Sequence, residues 1–92
     1  MPKTLSVDAR MARAKFRSWH RGTREADYMI GGYFDAYHKS WDEVSLEWFE
    51  KLLDQEDVDI IAWVTKTAPT PTKFAGNMME QMQKLNFIEI KR

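Results

Sequence analysis

Apolar residues recur along this chain at helical spacing and divide it into five amphipathic segments. In the clearest one, residues 24–39, they fall at i, i+3, i+4, i+7, i+8 and i+11, which is one face of an α-helix. These positions are Ala26, Met29, Ile30, Tyr33, Phe34 and Tyr37. Gly31 and Gly32 interrupt the stripe, and each costs about 1 kcal/mol relative to alanine in a helix interior. We therefore expect either a closely packed neighbouring helix or a bend at this point.

The segment before it is predicted to form a helix from Val7 to Trp19, with Ser6 as its N-cap. Its apolar residues share one face, which is typical of the side that packs on a core. They are Ala9, Ala12, Phe16 and Trp19. The turn into the second helix is HRGTRE, residues 20–25, and its Gly22 suits the positive φ of a helix end.

Three shorter helices complete the pattern. The third begins at SWDE, where Ser40 as N-cap and Glu43 form a capping box. The fourth runs from 58 to 65 with Asp57 as its cap, and the fifth runs to residue 85 after a cap at Thr70 or Thr72. The predicted buried residues of these three helices are Val44, Trp48, Phe49, Leu52, Leu53, Ile60, Ile61, Trp63, Val64, Phe74, Met78, Met82 and Leu85.

The chain has 92 residues and contains neither a repeat nor a convincing strand pattern. We therefore predict an all-α fold, a small five-helix bundle, in a single helical domain over residues 1–92. The termini, residues 1–6 and 87–92, are expected to fray, and the tail FIEIKR alternates in a way that also fits an extended strand.

The chain has no cysteine, which excludes disulfides, thiolate metal sites and cysteine nucleophiles. No apolar run reaches the ~18 residues of a membrane span, and the N-terminus lacks the apolar core of a secretory signal. The basic, alanine-containing N-terminus also fits a short matrix-targeting segment, although the first helix is the preferred interpretation. We expect a cytoplasmic protein in a bacterium, or a mitochondrial matrix protein in a eukaryote.

Charge is strongly segregated although the chain is neutral overall. Residues 1–25 carry a net charge of +5, residues 26–62 carry −8, and residues 63–92 carry +3. The basic first segment is compatible with nucleic-acid binding. We favour the simpler interpretation that the basic helix packs beside acidic helices, because a nucleic-acid-binding domain usually has a positive total.

Catalytic and metal-binding patterns are missing from the sequence. His20 and His38 lie far apart, and neither sits at i, i+4 from another likely ligand on an obvious metal face. The chain also lacks a nucleophile elbow, a phosphate loop and a dinucleotide fingerprint. We predict no catalytic residue, no metal site and no stably bound cofactor, and hence a protein that is not an enzyme.

The HRGTRE turn carries charges on both sides of its glycine. Glu25 falls in the first turn of the second helix, where the helix dipole favours an anion. Arg21 has no comparable structural reason, and an exposed Arg21–Glu25 pair contributes only about 0.2–1 kcal/mol. A glycine between these two side chains indicates a surface that the backbone of another protein approaches closely.

RGTREAD, residues 21–27, resembles the R-G-x-x-E-x-D signature of the SdhE-type FAD assembly factors, also known as the succinate dehydrogenase assembly factor two family. Three segments follow in the order found in that family: YMIGGYFDAY, then SWDEVSLEWFEKLL with its F-x-x-L-L ending, then DVDIIAWV, which is similar to D-P-D-L-x-x-W. The resemblance covers about residues 10 to 71. The chain departs from the pattern at Val58, His20 and Thr23, where the family often has proline, arginine and an apolar residue.

The resemblance implies a five-helix bundle that binds the flavoprotein subunit of succinate dehydrogenase, and in bacteria sometimes that of fumarate reductase. Such factors promote covalent attachment of FAD to a histidine of that subunit, so FAD is the client's cofactor. We expect a monomer that binds no nucleic acid and does not insert into a membrane.

The predicted partner-binding residues are Arg17, Trp19, Arg21, Gly22, Glu25 and Asp27. On this hypothesis Gly22 admits the partner's backbone, and Gly22→Arg abolishes binding while leaving helix content intact. Arg21 and Glu25 make charged hydrogen bonds across the interface, and Asp27 holds the turn or adds a contact.

Two other functions are compatible with the residues. One is a small nucleic-acid-binding module whose basic helix uses Arg10, Arg13, Lys15, Arg17 and Arg21. The other is an antitoxin-like adaptor that binds a different protein.

Overall fold

Five α-helices, joined by short connections, make up the chain in a computed structural model that describes residues 6–86. The helices are α1 (Val7–Trp19), α2 (Arg24–Tyr37), α3 (Glu43–Leu53), α4 (Asp57–Val64) and α5 (Asn77–Lys84). Two single turns of 3₁₀ helix, His38–Ser40 and Thr72–Phe74, precede α3 and α5. No strand occurs in the described part, so the predicted all-α five-helix bundle is confirmed. The expectations for residues 1–5 and for the tail 87–92 lie outside the described residues.

The start of α1 follows the prediction and the start of α3 does not. The Ala9 amide donates to Ser6 Oγ at 3.1 Å, which is the predicted N-cap. The N-cap of α3 is Asp42, whose Oδ1 accepts from the Ser45 amide at 2.8 Å. This bond stabilises the carboxylate and lowers the pKa of Asp42 below its ordinary value. The predicted Ser40 cap is wrong because Ser40 closes the preceding 3₁₀ turn and its hydroxyl donates to the Tyr37 carbonyl.

The ends of α2, α4 and α5 also differ from the prediction. α2 stops at Tyr37, two residues early, because the chain tightens into 3₁₀ geometry. Asp57 is the first residue of α4 and does not cap it, since its carboxylate is bound elsewhere in the fold. α5 begins after Gly76, whose φ of +132° is incompatible with an α-helix. The helix therefore does not extend back to Thr70 or Thr72, and neither predicted threonine is its cap.

The core lies between α2, α3 and the α4–α5 pair, and aromatic rings fill most of it. The Phe49 ring centroid lies 5.8 Å from that of Phe34 and 4.9 Å from that of Trp41. At the other end, Phe74 stacks on Trp63 with centroids 5.4 Å apart. The buried apolar residues are Ala14, Ala26, Met29, Ile30, Tyr33, Phe34, Leu46, Phe49, Leu52, Leu53, Ile60, Trp63, Val64, Phe74, Met79 and Met82. The apolar stripe predicted for α2 is therefore confirmed in its central part.

Burial was predicted wrongly on two helices. On α3, Val44 is 74% exposed and Leu46 is buried in its place, because α3 starts later than predicted and its inward face includes position 46. On α1, Ala9, Ala12 and Phe16 of the face predicted to pack on the core are exposed, Phe16 by 61%, and only Trp19 of that face packs on α2. The buried residues of α1 are the small Ala14 and Ser18. Small side chains let α1 lie close to α2, which a large phenylalanine would prevent.

Gly31 lies where the end of α1 packs on α2. A Cβ built on Gly31 would lie only 2.7 Å from Cγ of the Trp19 indole and closer still to other ring atoms. The same indole meets the Tyr28 ring edge to face, with centroids 6.1 Å apart. Of the two expectations for the glycine pair, close approach is the one that the structure supports at Gly31.

Candidate protein-interaction site at the turn between the first two helices

The turn between α1 and α2 is closed by two side chains that follow it in sequence. Asp27 reaches back from α2, and its Oδ1 accepts from the Arg21 amide at 2.7 Å. Thr23 Oγ1 accepts from the Ala26 amide at 3.2 Å and so caps α2. Gly22, between Arg21 and Thr23 in the turn, has a φ of +114°, which L side chains rarely adopt. The predicted positive φ of Gly22 and the turn-holding role of Asp27 are both confirmed.

The Arg21 side chain turns inward and ties this turn to the connection between α3 and α4. Its guanidinium donates to the carbonyl oxygens of Leu53 at 2.9 Å and Gln55 at 3.0 Å. Its Nε donates to Asp57 Oδ1 at 2.7 Å, and the side chain is only 10% exposed. The expectation that no structural need explains Arg21 is therefore wrong, and its carboxylate partner is Asp57 rather than Glu25.

Two arginines on α1 itself also donate hydrogen bonds to α3 and to the residue that follows it. Arg17 donates to the Leu53 carbonyl at 3.1 Å and to Asp54 Oδ1 at 2.8 Å. Arg10 makes a two-pronged pair with Glu50, at 3.0 and 2.7 Å. The cations Arg17 and Arg21 thus meet the last carbonyls of α3, where the helix dipole is negative. The predicted packing of the basic helix against acidic ones is confirmed.

A shallow, open depression lies on the outer side of the turn. Its lining residues are Trp19, His20, Gly22, Thr23, Arg24, Asp27 and Tyr28. Gly22, Arg24 and Glu25 are exposed, and within residues 6–86 no residue other than the two chain neighbours of Gly22 comes within 4 Å of a Cβ built there. Within residues 6–86 the Glu25 carboxylate has neither an ion pair nor a hydrogen bond. The turn therefore presents an open backbone and an available anion side by side.

The six predicted binding residues separate into two groups. Trp19, Gly22 and Asp27 line the depression, and Glu25 is exposed in the first turn of the helix that borders it. The guanidinium groups of Arg17 and Arg21 point away from it, into the corner where α3 meets α4. The first group lies on the outer surface, where a partner can bind. The second group holds the turn in place through its contacts with the α3–α4 corner.

Sequence reasoning missed the corner that receives the two arginines. It consists of the Leu53 and Gln55 carbonyls with the Asp54 and Asp57 carboxylates. Backbone carbonyls leave no trace in residue type, so no sequence pattern could mark them. The acidic character of residues 26–62 opposite a basic first helix was the available signal, and it indicated the pairing without naming the partners.

The site carries no arrangement suited to metal chemistry. Residues 6–86 contain no group of three His, Cys, Asp or Glu side chains placed to hold a metal ion. None of the helices in this range has both the length and the apolar character that a membrane crossing requires. What the geometry offers is recognition through one open glycine, one available carboxylate and an aromatic-lined hollow.

Fold and turn together define a class of small helical bundles that display R-G-x-x-E-x-D on an exposed, internally braced turn. The chain belongs to the family described as flavinator of succinate dehydrogenase, which residues 12–86 match. The matched range contains all six predicted binding residues and most of the described structure. The resemblance noted from the turn sequence is thereby confirmed.

Relatives from both a bacterium and yeasts are similar to this chain. The FAD assembly factor SdhE of Acetobacter pasteurianus is 35% identical over 77 residues, covering 84% of this chain and 71% of the relative. The mitochondrial succinate dehydrogenase assembly factor 2 of Saccharomyces cerevisiae is 34% identical over 84 residues, covering 87% and 52%. That of Yarrowia lipolytica is 33% identical over 83 residues, covering 86% and 57%. The chain therefore spans about half the length of the yeast relatives that it matches.

Proposed function

We propose that this chain is an assembly factor that binds the flavoprotein subunit of succinate dehydrogenase and promotes covalent attachment of FAD to it. The observation that carries the proposal is the family match over residues 12–86 together with the exposed RGTRE turn. The names of the bacterial and yeast relatives support the same client. Fumarate reductase, whose flavoprotein is chemically related, is a second client on this proposal.

The turn is braced before any partner arrives, and this favours binding. Asp27 holds the Arg21 amide, and the Arg21 guanidinium fastens the turn to the α3–α4 corner. A surface that is already ordered loses less conformational entropy on association than one that must be ordered by its partner. Arg21 and Arg17 act as positioning residues in this proposal, and the contacts to the client come from the outer surface.

Gly22 supplies the point of closest approach. Because, among the described residues, only its two chain neighbours come within 4 Å of a Cβ at this position, the space in front of the glycine is open to a partner's backbone. Glu25, one helical turn beyond, offers an anion to amide or cationic donors of the client. Charge-assisted hydrogen bonds of this kind are about twice as strong as neutral ones once water is excluded.

The bond-forming chemistry belongs to the flavin and the client, and this chain supplies orientation. Correct placement of two reacting groups removes several kcal/mol from a barrier without adding a catalytic side chain. We therefore propose that the chain is not itself an enzyme and holds no stable cofactor. Its site of action, bacterial cytoplasm or mitochondrial matrix, follows from where the client matures.

The nucleic-acid alternative loses most of its basis in this structure. Three of the five cations that it requires, Arg10, Arg17 and Arg21, are bound to carboxylates of α3 and α4. Phosphate contacts need cations that are free to release counterions. The two remaining cations of α1 make a weak basic patch.

Flavin attachment in cells tests the proposed function. In a strain lacking this gene, denatured flavoprotein subunit is separated on a gel and its covalent flavin is read by fluorescence. Wild type is expected to restore the signal, Glu25→Ala to leave most of it missing, and Asp35→Ala to restore it fully. Asp35 is the matched control because it is another exposed carboxylate on α2. Normal flavin attachment in the strain without the gene would refute the proposal.

Gly22→Ala separates a contact with the client from backbone strain. A Cβ at φ +114° costs on the order of 1–3 kcal/mol, so this variant is less stable whatever its function. Gly76→Ala is the control, because Gly76 also has a positive φ (+132°) and also has open space at its Cβ. We expect similar losses in the free energy of unfolding, with client affinity reduced about tenfold or more only by Gly22→Ala. Equal affinities for the two variants would remove Gly22 from the interface.

A further inference from the structure

The outward face of α1 carries an aromatic pair that the proposed turn contact does not use. The Phe16 ring is 61% exposed and stacks on the His20 imidazole, with centroids 4.0 Å apart and planes inclined by 20°. His20 Nδ1 lies 2.7 Å from the Phe16 carbonyl oxygen and donates to it. This hydrogen bond orients the imidazole on which the Phe16 ring stacks.

The His20 end of this pair borders two hollows. His20 lines the depression that contains Gly22, and it also lines a second hollow on the side of the α3–α4 corner. Val58, 72% exposed, lines that second hollow as well. The ridge formed by Phe16 and His20 is thus continuous, through His20, with the open turn.

A fixed, exposed aromatic side chain is suited to insertion into another protein. Single exposed apolar residues are common on protein surfaces and carry little meaning alone. Here two of the four large exposed apolar residues described, Phe16 and Val58, flank one turn. Aromatic residues are enriched at the centres of protein interfaces, and a ring that already stacks on a neighbour loses less freedom when it is buried.

Charge around the ridge indicates the chemistry of the surface that would receive it. Arg13, Lys15 and Arg24 are exposed and, within residues 6–86, form no ion pair. They contrast with the inward arginines of α1, whose charges are already matched. Around Phe16, a complementary surface is apolar at its centre and carries carboxylates at its rim, whereas beside the exposed Glu25 and Glu56 it carries cationic or amide donors.

We propose that the Phe16–His20 stack is an anchor that inserts into an apolar, acid-rimmed pocket of the flavoprotein subunit. The interface then runs from Glu25 and Gly22 across this ridge to Val58. This inference rests on the proposed function, since it names how the same client is held. It adds an apolar contact on the α1 side of the turn, beside those that Trp19 and Tyr28 offer in the depression.

Affinity for the purified flavoprotein subunit, measured by calorimetry on the full chain, tests the anchor. Phe16→Ala is expected to weaken binding about tenfold or more, and Val58→Ala by a smaller factor. Val44→Ala is the matched control, since Val44 is 74% exposed on α3 away from the turn, and should bind within about twofold of wild type. All three residues are exposed, so thermal unfolding should show that each variant is folded.

The outcomes separate this inference from the proposed function. If wild type binds and Phe16→Ala binds equally well, the anchor is wrong and the assembly role stands. If Phe16→Ala instead abolishes self-association seen by sedimentation without changing client affinity, the ridge joins two copies of this chain and the inference is also wrong. If wild type itself does not bind the flavoprotein subunit, the proposed function and the anchor both fail.

Discussion

The two faces of α1 mix polar and apolar side chains. The inward face combines Met11 and the buried Ala14 with Arg10 and Arg17, whereas the outward face carries Phe16 among charged residues. The inward arginines reach carboxylates and the last carbonyls of α3, so their charges are satisfied. The outward phenylalanine stacks on a histidine at the end of its own helix. α1 is thus attached to the bundle largely by charge and small residues, while its one aromatic ring on the outward face, Phe16, stays exposed.

This contrast shows when an apolar stripe is a poor guide to the core. A helix that packs through small side chains buries little apolar surface of its own, and ion pairs at its edges supply the remaining specificity. In α2 the stripe and the core coincide, because α2 lies at the centre of the bundle and is covered on several sides. Position in the bundle, more than composition of the helix, decided which stripe was buried.

The largest expected effect on stability comes from removing Arg21, the inward-pointing arginine that follows α1. Arg21→Met should lower the free energy of unfolding by about 2–3 kcal/mol, because it leaves Asp57 and two carbonyls without their donor. Arg13→Met, which removes an exposed cation of α1, should change it by less than about 0.5 kcal/mol. Urea unfolding followed by circular dichroism measures both. Equal stabilities would mean that the inward arginine is not structural.

A second effect, of about 2 kcal/mol, is expected from placing apolar bulk on the inward face. Ser18 is fully buried, and its hydroxyl donates to the Lys15 carbonyl at 2.9 Å. Ser18→Leu should destabilise by overpacking. Ser18→Ala should remain within about 0.5 kcal/mol, since alanine fits and favours the helix. Unfolding midpoints in urea compare the three proteins, and a stabilised leucine variant would show that α1 has room for a conventional apolar interface.

The smallest effect concerns the ion pair nearest the start of α1. A double-mutant cycle with Arg10→Met and Glu50→Gln should give a favourable coupling that weakens as salt is added. The comparison pair is Lys51–Glu47, which is more exposed and has an N–O distance of 3.6 Å. Its coupling should be the smaller of the two. A larger coupling in the comparison pair would mean that the two-pronged geometry adds nothing.

Much of the fold could be predicted from the sequence because most helices follow strong local rules. α1 has both predicted bounds and its Ser6 cap, and the apolar period of α2 identified its buried residues. The errors arose where two local signals competed. Ser40 and Asp42 are both good caps, and the 3₁₀ turn decided between them. Asp57 also has the chemistry of a cap, but its carboxylate binds an arginine from a distant segment.

The site could be predicted in part for the same reason. The turn itself is local, so its glycine conformation and the role of Asp27 followed from residues a few positions apart. The destination of the Arg21 side chain depends on backbone carbonyls more than thirty positions away, which carry no residue type. The outward position of Phe16 likewise depends on how α1 packs, and helical period alone gives two equally regular faces.

The contact between Trp19 and Gly31 constrains how this family can vary over evolution. Because the indole occupies the volume that any side chain at 31 would need, position 31 is not free to change before position 19 does. An alanine at 31 becomes tolerable only in a lineage that already has a smaller residue at 19. In a large collection of relatives these two columns should therefore change together, with bulk traded from one position to the other. Such paired change would indicate that α1 and α2 pack closely at this contact in other members of the family.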